Sequence, residues 1–452
     1  MRTDIIARLK VYGDKVAINF ANRKYTYVDL IDNIQRMKNL ISDAPGEVVA
    51  LVSEYSFDSI SMFFALAEYK KIIVPITSMS ENQITMRIEE AYVDKRIDLA
   101  NMKFQDVESN REKHPLIRHV QNENAPGLIL FSSGTTGTPK VMIHNLNNII
   151  NSYNGKKSFE NNVLLFLMFD HIGGLNTLFN VLFRGGSITI PENRDIDYIC
   201  NLIERYRVTT MPVSPTFLNL LLISGVYKKY DLSSLSLITY GTEAMPESLL
   251  KNLHAIFPNV KFIQTFGTSE TGIVKTSSYS SDSVLLKIDS RDENSKYKIV
   301  DGELWLKSKT QILGYLNKSN QSFTEDGWYK TGDQVQEIEG GYLKIVGRIQ
   351  ENINVGGQKV LPAEIETVLL EIEEVLDATV YGEKNILMGQ IVVADVVMKN
   401  RADENEAKML IRKFCSEKLE KYKVPVKINF IEDISFSDRY KKVRDKKIMS
   451  NA

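Results

Sequence analysis

The sequence predicts an α/β fold, with a large N-terminal domain of mixed β-sheets and flanking helices, and a small α+β C-terminal domain. Short Val/Ile/Leu-rich runs alternate with amphipathic stretches over most of the chain. After about residue 300 this gives way to Gly-punctuated, β-rich segments, and from about residue 362 to a helix, a strand pair and a second helix. A chain of 452 residues is ample for two such domains, each with its own core.

The strand candidates, in order, are "EVVALVSE", "KIIVPI", "GLILF", "NVLLFLMF", "SITI", "VTTMPV", "SLITYG" and "KFIQTFG". Between them, "DSISMFFALAEYKK" and "DYICNLIERYR" carry apolar residues three and four apart, the period of a helix with one buried face. Alternation of this kind implies a parallel sheet covered by helices. "GELWLKS" and "GYLKIVGR" mark the β-rich region. "PAEIETVLLEIEEV" and "ENEAKMLIRKFCSEKLEKY" supply the helices of the small domain. The boundary is expected near "GRIQENINVGG", residues 347–357, giving domains 1–348 and 351–452. There is no internal repeat and no low-complexity segment.

Composition narrows the function. With 43% hydrophobic and 25% charged residues the chain reads as soluble and globular, and a net charge of −1 gives no global attraction to nucleic acid or anionic membrane. The start, "MRTDIIARLKVYGDK", is too charged for a signal-peptide core, and no apolar run reaches membrane-spanning length. Cys200 and Cys415 lie far apart without metal-ligand spacing, as expected of packing residues in a reducing cytoplasm.

The chemistry begins at "SSGTTGTPK", residues 132–140, directly after a strand candidate. It is not a Walker A sequence. Gly134 and Gly137 still let backbone N–H groups turn inward, the hydroxyls of Ser132, Ser133, Thr135, Thr136 and Thr138 add donors, and Lys140 adds a positive charge. Together they would wrap a polyphosphate that must later leave. In "QTFGTSETG" (264–272), Glu270 follows a polar turn at a strand end, where a hard carboxylate oxygen suits Mg²⁺ bridging phosphates. In "YKTGDQV" (329–335), Asp333 could accept hydrogen bonds from two ribose hydroxyls. "GYLKIVGR" ends in Arg348, and "TYGTEAMP" (239–246) is one more Gly/Glu turn at a strand end. Taken singly, each of these is more often a capped turn or a surface ion pair.

In this order the motifs resemble the acyl-adenylate-forming (AMP-binding) superfamily of acyl-CoA synthetases, peptide-synthetase adenylation domains and luciferases. The resemblance is collinear from "KYTYVDLIDNI" to "KKVR" and includes "FGTSETG", "GWYKTGD" and "GRIQENINVGGQKVLPAEIE". It implies an ATP-dependent acid–thiol ligase that forms acyl-AMP and pyrophosphate, then passes the acyl group to a pantetheine thiol. The two steps would use two orientations of a small domain that reorients about a hinge. It also implies roles. The 132–140 loop would hold the β- and γ-phosphates and Glu270 would bind Mg²⁺, with Ser269 at the α-phosphate. Asp333 and Arg348 would take the ribose. Gly241, Thr242 and Glu243, with Thr265, Phe266 and Gly267, would line the adenine slot. The substrate carboxylate itself attacks, so the protein is asked for charge stabilisation and not for a nucleophile.

The tail "ISFSDRYKKVRDKK" aligns with the family's last motif when Ser437 matches its threonine. Lys441 is then the catalytic lysine and Arg444 follows at the usual spacing. Tyr440 stands where a glycine is usual, and a shift of one would make it Lys442. At the hinge, where the family commonly has two acids, the sequence gives Gln350 and Glu351, and Asn354 stands where a lysine is frequent. "VGGQKVLP" (355–362) matches the segment that enters the site for the thiol step. That favours a thioester-forming enzyme over one that stops at the adenylate. The alternatives are a stand-alone adenylating enzyme that loads an acyl or amino acid onto a carrier protein, or an ATP-binding pseudoenzyme, against which the intact Lys140, Glu270, Asp333 and Arg348 argue.

For the acid, "FLMFDHIGGLNTLF" (166–179) resembles the F-H-x-x-G element of acyl- and aryl-CoA synthetases, with His171 and Gly174 in place. Asp170 is one position early for pairing with an amino group, which disfavours an amino-acid substrate. By position, Ser214, Tyr240, Gly241, Phe266 and Ile273 would wall the pocket. The expected ligands are therefore ATP, Mg²⁺, a small carboxylic acid, and coenzyme A or carrier-bound phosphopantetheine. Residues 418–447 hold ten Lys/Arg against five Asp/Glu. They could meet CoA's phosphates or an acidic acyl carrier protein, or form a solvated face.

Overall fold

The structure is a computed structural model that describes residues 4–43, 46–77, 79–108, 111–132, 139–400 and 403–432, with Ile434, Phe436 and Lys442. One seven-stranded sheet runs from edge to edge through Lys261–Gln264, Leu237–Tyr240, Thr210–Val213, Asn162–Leu164, Ser187–Thr189, Val16–Phe20 and Arg23–Thr26. All neighbours are parallel except the last pair. A second runs through Gly314–Tyr315, Lys140–Asn145, Gly127–Ser132, Ile72–Ile76, Val48–Val52, Lys95–Asp98 and Lys103–Asp106, parallel over its four central strands. The parallel pairing expected from strand–helix alternation thus holds through all but one pair of the first sheet and over four strands of the second. Antiparallel strands complete one edge of the first and both edges of the second.

Helices form where the periodicity placed them. Phe57–Glu68 is apolar nearly all round, as a helix buried on most sides must be, and Ser56 caps it through the Ser59 N–H at 3.0 Å. Phe63, Phe64, Phe169, Phe179 and Phe183 belong to the largest core cluster. Three elements are shorter than their apolar runs. The strand in "NVLLFLMF" ends at Leu164, although Phe166 and Phe169 stay buried. The strand in "KFIQTFG" ends at Gln264, and the Thr265 N–H turns to the Tyr240 carbonyl at 2.7 Å. Helix Pro362–Leu369 stops before "EIEEV". Apolar side chains can be buried from irregular backbone, so hydrophobicity overstates element length here.

The β-rich region is a six-stranded antiparallel sheet, Thr276–Ser278, Leu285–Ile288, Tyr342–Arg348, Tyr329–Ile338, Glu303–Ser308 and Ser295–Val300. A 3₁₀ turn at Ile349–Glu351 leads to the small domain. There a five-stranded sheet, built on the hairpin Val375–Asn385 and Gly389–Met398, shares a core with helices Pro362–Leu369 and Glu404–Lys418. Both cysteines are buried, and burial pushes the Cys200 thiol up to about 12 and Cys415 up to about 11, which leaves them inert. No helix among the described residues is long and apolar enough to cross a membrane.

Candidate active site

Glu270 sits between the short strands Phe266–Thr268 and Gly272–Val274. The Thr268 hydroxyl accepts from the Thr271 N–H at 3.1 Å, and the Glu270 carbonyl accepts from the Ile312 N–H at 2.8 Å, so the turn is tied at both ends. The carboxylate is 6% exposed and accepts a hydrogen bond from the Tyr315 hydroxyl at 2.9 Å. Lys140, at the start of the strand after the Ser/Gly/Thr loop, brings its Nζ to 3.9 Å from the same oxygen. Burial pulls the Lys140 ammonium below its ordinary value, Glu270 partly offsets this, and Lys318 and Arg348 add to the depression. Burial first, and Glu270 next, raise the Tyr315 and Tyr329 hydroxyls well above the usual tyrosine range, so both remain protonated donors.

Asp333 and Arg348 face each other across strands Tyr329–Ile338 and Tyr342–Arg348, with Arg348 Nε donating to Asp333 Oδ1 at 3.1 Å. Burial raises the Asp333 carboxyl above its ordinary value against the pull of Arg348 and Thr331. The guanidinium is 54% exposed and so remains open to a ligand.

The turns expected to line an adenine slot are close-packed backbone. A side chain at Gly241 would meet Thr265 Oγ1 at 2.7 Å, and one at Gly267 would meet the Gly272 carbonyl at 2.6 Å. Thr242 holds φ +74, a conformation costly for a β-branched residue and of the kind stored at functional turns. Glu243 departs from a simple slot wall. Its carboxylate accepts from the Thr216 N–H at 3.0 Å and hydroxyl at 2.5 Å, at the start of helix Pro215–Ser224. Ser214, expected in the pocket wall, is buried, and its hydroxyl accepts from the Phe217 N–H at 3.1 Å to cap that helix. Tyr240 is buried too, whereas Phe266 is half-buried and Ile273 is 38% exposed.

His171 caps helix Ile172–Leu182, its Nδ1 accepting from the Gly173 N–H at 3.0 Å, which directs the other ring nitrogen elsewhere. Asp170 is buried and paired with Arg87 at 3.0 Å. Its charge is thus answered from within the protein.

Residues 133–138, Lys441 and Arg444 lie outside the described residues. Lys442 is described, and its side chain is 10% exposed. Its Nζ donates to Asp377 Oδ1 at 2.6 Å and to the Ala378 carbonyl at 2.7 Å, in the small domain. Burial draws this ammonium down, but Asp377, Glu366 and Glu243 outweigh it and hold the value above that of an ordinary lysine.

Three residues at the site escaped the sequence reading. Tyr315 and Tyr329 support Glu270. His144 lies buried against the backbones of Ser269 and Thr310 without full hydrogen-bond geometry, and burial lowers it to about 4, so it is neutral. Each looks like a core aromatic or a lone strand histidine. "GYLNKS" after "TQI" was the available signal for Tyr315.

The site residues thus comprise an ammonium beside a buried carboxylate at the start of strand Lys140–Asn145, a carboxylate–guanidinium pair on the antiparallel sheet, and close-packed glycine turns after strands Leu237–Tyr240 and Lys261–Gln264. Fold and side-chain set together fit a nucleotide-dependent enzyme. Residues 6–316 match the family described as AMP-binding enzyme, and residues 364–437 match its C-terminal domain. The chain belongs to this family. It is 30% identical to acyl-CoA synthetase 7 of Caenorhabditis elegans over 74% of this chain and 67% of that one. It is 27% identical to the 2-succinylbenzoate–CoA ligase of Bacillus cytotoxicus over 95% of this chain and 94% of that one. The fold is shared with o-succinylbenzoate–CoA synthetase of Bacillus subtilis, solved with ATP and a magnesium ion. That comparison has a TM-score of 0.75 and 20% identity, and covers 98% of each chain. The chain is an ATP-dependent acid–thiol ligase of the AMP-forming class.

Proposed function

We propose that the chain activates a carboxylic acid without an α-amino group and transfers the acyl moiety to coenzyme A. The observation that carries this reading is the set Lys140, Glu270, Asp333 and Arg348, linked through contacts of 3.9 and 3.1 Å and through the field of Arg348 on Lys140. Lys140 and the preceding loop would neutralise the departing pyrophosphate. Asp333 and Arg348 would orient the ribose, and Ser269 would meet the α-phosphate. No group of three or more His, Cys, Asp or Glu residues that could hold a metal occurs among the described residues. One buried carboxylate held by a tyrosine suits Mg²⁺, which is bound through one or two carboxylates plus substrate phosphates. Magnesium, when bound, would neutralise phosphate charge. Glu270 would hold it, and the hydroxyl of Tyr315 would keep that carboxylate in place.

The acid reading rests on the Asp170–Arg87 pair, which leaves no carboxylate there for a substrate amine, and on the apolar Phe266 and Ile273. We place the hinge at 349–351, between domains 1–348 and 351–452. The thiol step would then bring the 355–362 segment to the cleft. In the present arrangement Gly356 and Gly357 are exposed, and the Gly356 N–H bonds the small domain's own Met388 carbonyl at 2.8 Å. The buried, unpaired cysteines fit a cytoplasmic enzyme.

ATP–pyrophosphate exchange against pooled short, hydroxy, aryl, long-chain and amino acids, with 2-succinylbenzoate added singly, tests this reading. Exchange with a non-amino acid, followed by a thioester with CoA, is expected. Exchange with amino acids alone would overturn the substrate class, and a thioester formed only on a phosphopantetheinyl carrier would overturn the acceptor.

A further inference from the structure

Lys442 is the one described residue of the tail beyond Phe436, and it reaches both domains. Phe436 and Lys442 form an antiparallel bridge. On the small-domain side, the Lys442 ammonium enters a pocket at the start of strand Val375–Asn385. There Asp377 is 3% exposed and Glu366 is 5% exposed. These carboxylates are held from behind: Asp377 Oδ1 accepts from the Ala378 N–H at 2.8 Å, and Glu366 Oε1 accepts from the Val380 N–H at 2.9 Å. On the large-domain side, the Lys442 backbone N–H points to Glu243 Oε2 at 3.4 Å. Nearby, Asn219 Nδ2 donates to the Leu376 carbonyl at 3.3 Å across the same seam.

A lysine with two of its three donors engaged inside a closed acidic pocket is not available to an α-phosphate. Its value lies in where it puts its neighbour. Lys441 precedes it by one residue, so fixing Lys442 by side chain and backbone limits where Lys441 can be presented. A buried charge pair is suited to such registry work, because a slip that brought Val443 to the pocket would leave Asp377 and Glu366 buried without a counter-charge, and one that brought Lys441 there would withdraw it from the reacting groups.

We propose that Lys442 is a positioning residue for the adenylation step. Its ion pair with Asp377 locks the tail to the small domain, and its contact with Glu243 seats that domain on the nucleotide cleft, so that Lys441 is delivered to the reacting groups. The proposal rests on the ligase reading above.

The test separates the two half-reactions. Lys442→Ala leaves Asp377 unpaired and could fail to fold, so the double variant Lys442→Ala with Asp377→Asn, which removes both charges, is measured beside it. Pyrophosphate exchange with the acid identified for the unaltered enzyme is expected to fall at least about thirtyfold in kcat with little change in the KM for ATP. Thioester formation from chemically prepared acyl-AMP and CoA, which uses the other domain orientation, is expected to stay within about twofold. Exchange within twofold of the unaltered enzyme in the double variant would overturn the proposal. So would an equal fall in both half-reactions, the signature of a merely structural residue. Absence of exchange in the unaltered enzyme would instead strike the ligase reading itself.

Discussion

Two lysine–carboxylate pairs in this molecule look alike in composition and differ in closure. Lys140 and Glu270, in the large domain, stand 3.9 Å apart with the lysine 20% exposed. Lys442 and Asp377, in the small domain, meet at 2.6 Å with side chains 10% and 5% exposed, and a backbone carbonyl takes a second donor. The first pair is too long for a good hydrogen bond, so both charges keep capacity for a ligand. The second is satisfied internally, as a buried pair must be to offset its desolvation. Burial lowers the Lys140 ammonium, whereas the surrounding carboxylates raise that of Lys442. An open pair marks a site, and a closed pair marks an anchor.

The largest effect that would break this contrast concerns the adjacent lysines of the tail. Lys441→Ala should lower pyrophosphate exchange by about a thousandfold, in the range of losing a transition-state charge stabiliser, while ATP binding followed by calorimetry survives. If Lys442→Ala removed exchange that completely and Lys441→Ala did not, the closed pair would be the catalytic one. Next in size, Asp333→Ala should weaken ATP binding by about ten- to a hundredfold, or about 1.5–3 kcal/mol, through the lost ribose contact and an unpaired Arg348. An unchanged nucleotide affinity would take Asp333 out of the site. The smallest effect sharpens the role of the open pair. Tyr315→Phe removes the donor that fixes Glu270 and should cost about tenfold in magnesium-dependent exchange, with the magnesium requirement shifted upward. A loss that added magnesium does not relieve would show that the hydroxyl supports the fold and not the carboxylate's ligand role.

How far the linear sequence could be read depended on the kind of information. Lys140, Glu270, Asp333 and Arg348 were visible because Gly, Thr, Ser or Pro flank each of them and a lone charge stands out there, although Asp333, expected in a turn, lies within strand Tyr329–Ile338. The strand–helix alternation likewise follows from side-chain periodicity, a local property. Tyr315, Tyr329 and His144 were not legible, since an aromatic or a histidine in an apolar run has the same local pattern whether it packs or supports a catalytic carboxylate. Asp170 could be read as a substrate partner until the fold brought Arg87, from a helix far away in the chain, against it at 3.0 Å. Ser214 and Glu243 were drawn into capping helix Pro215–Ser224, which removes them from a simple pocket wall.

The same division applies to the tail. The family's last motif, counted along the chain, narrowed the expected catalytic lysine to two adjacent candidates. The choice of which ammonium is enclosed was left to tertiary packing. Whether a charge is free or answered depends on partners that the sequence separates widely, as Lys442 is from Asp377 and Glu243, and only folding brings them within hydrogen-bond reach.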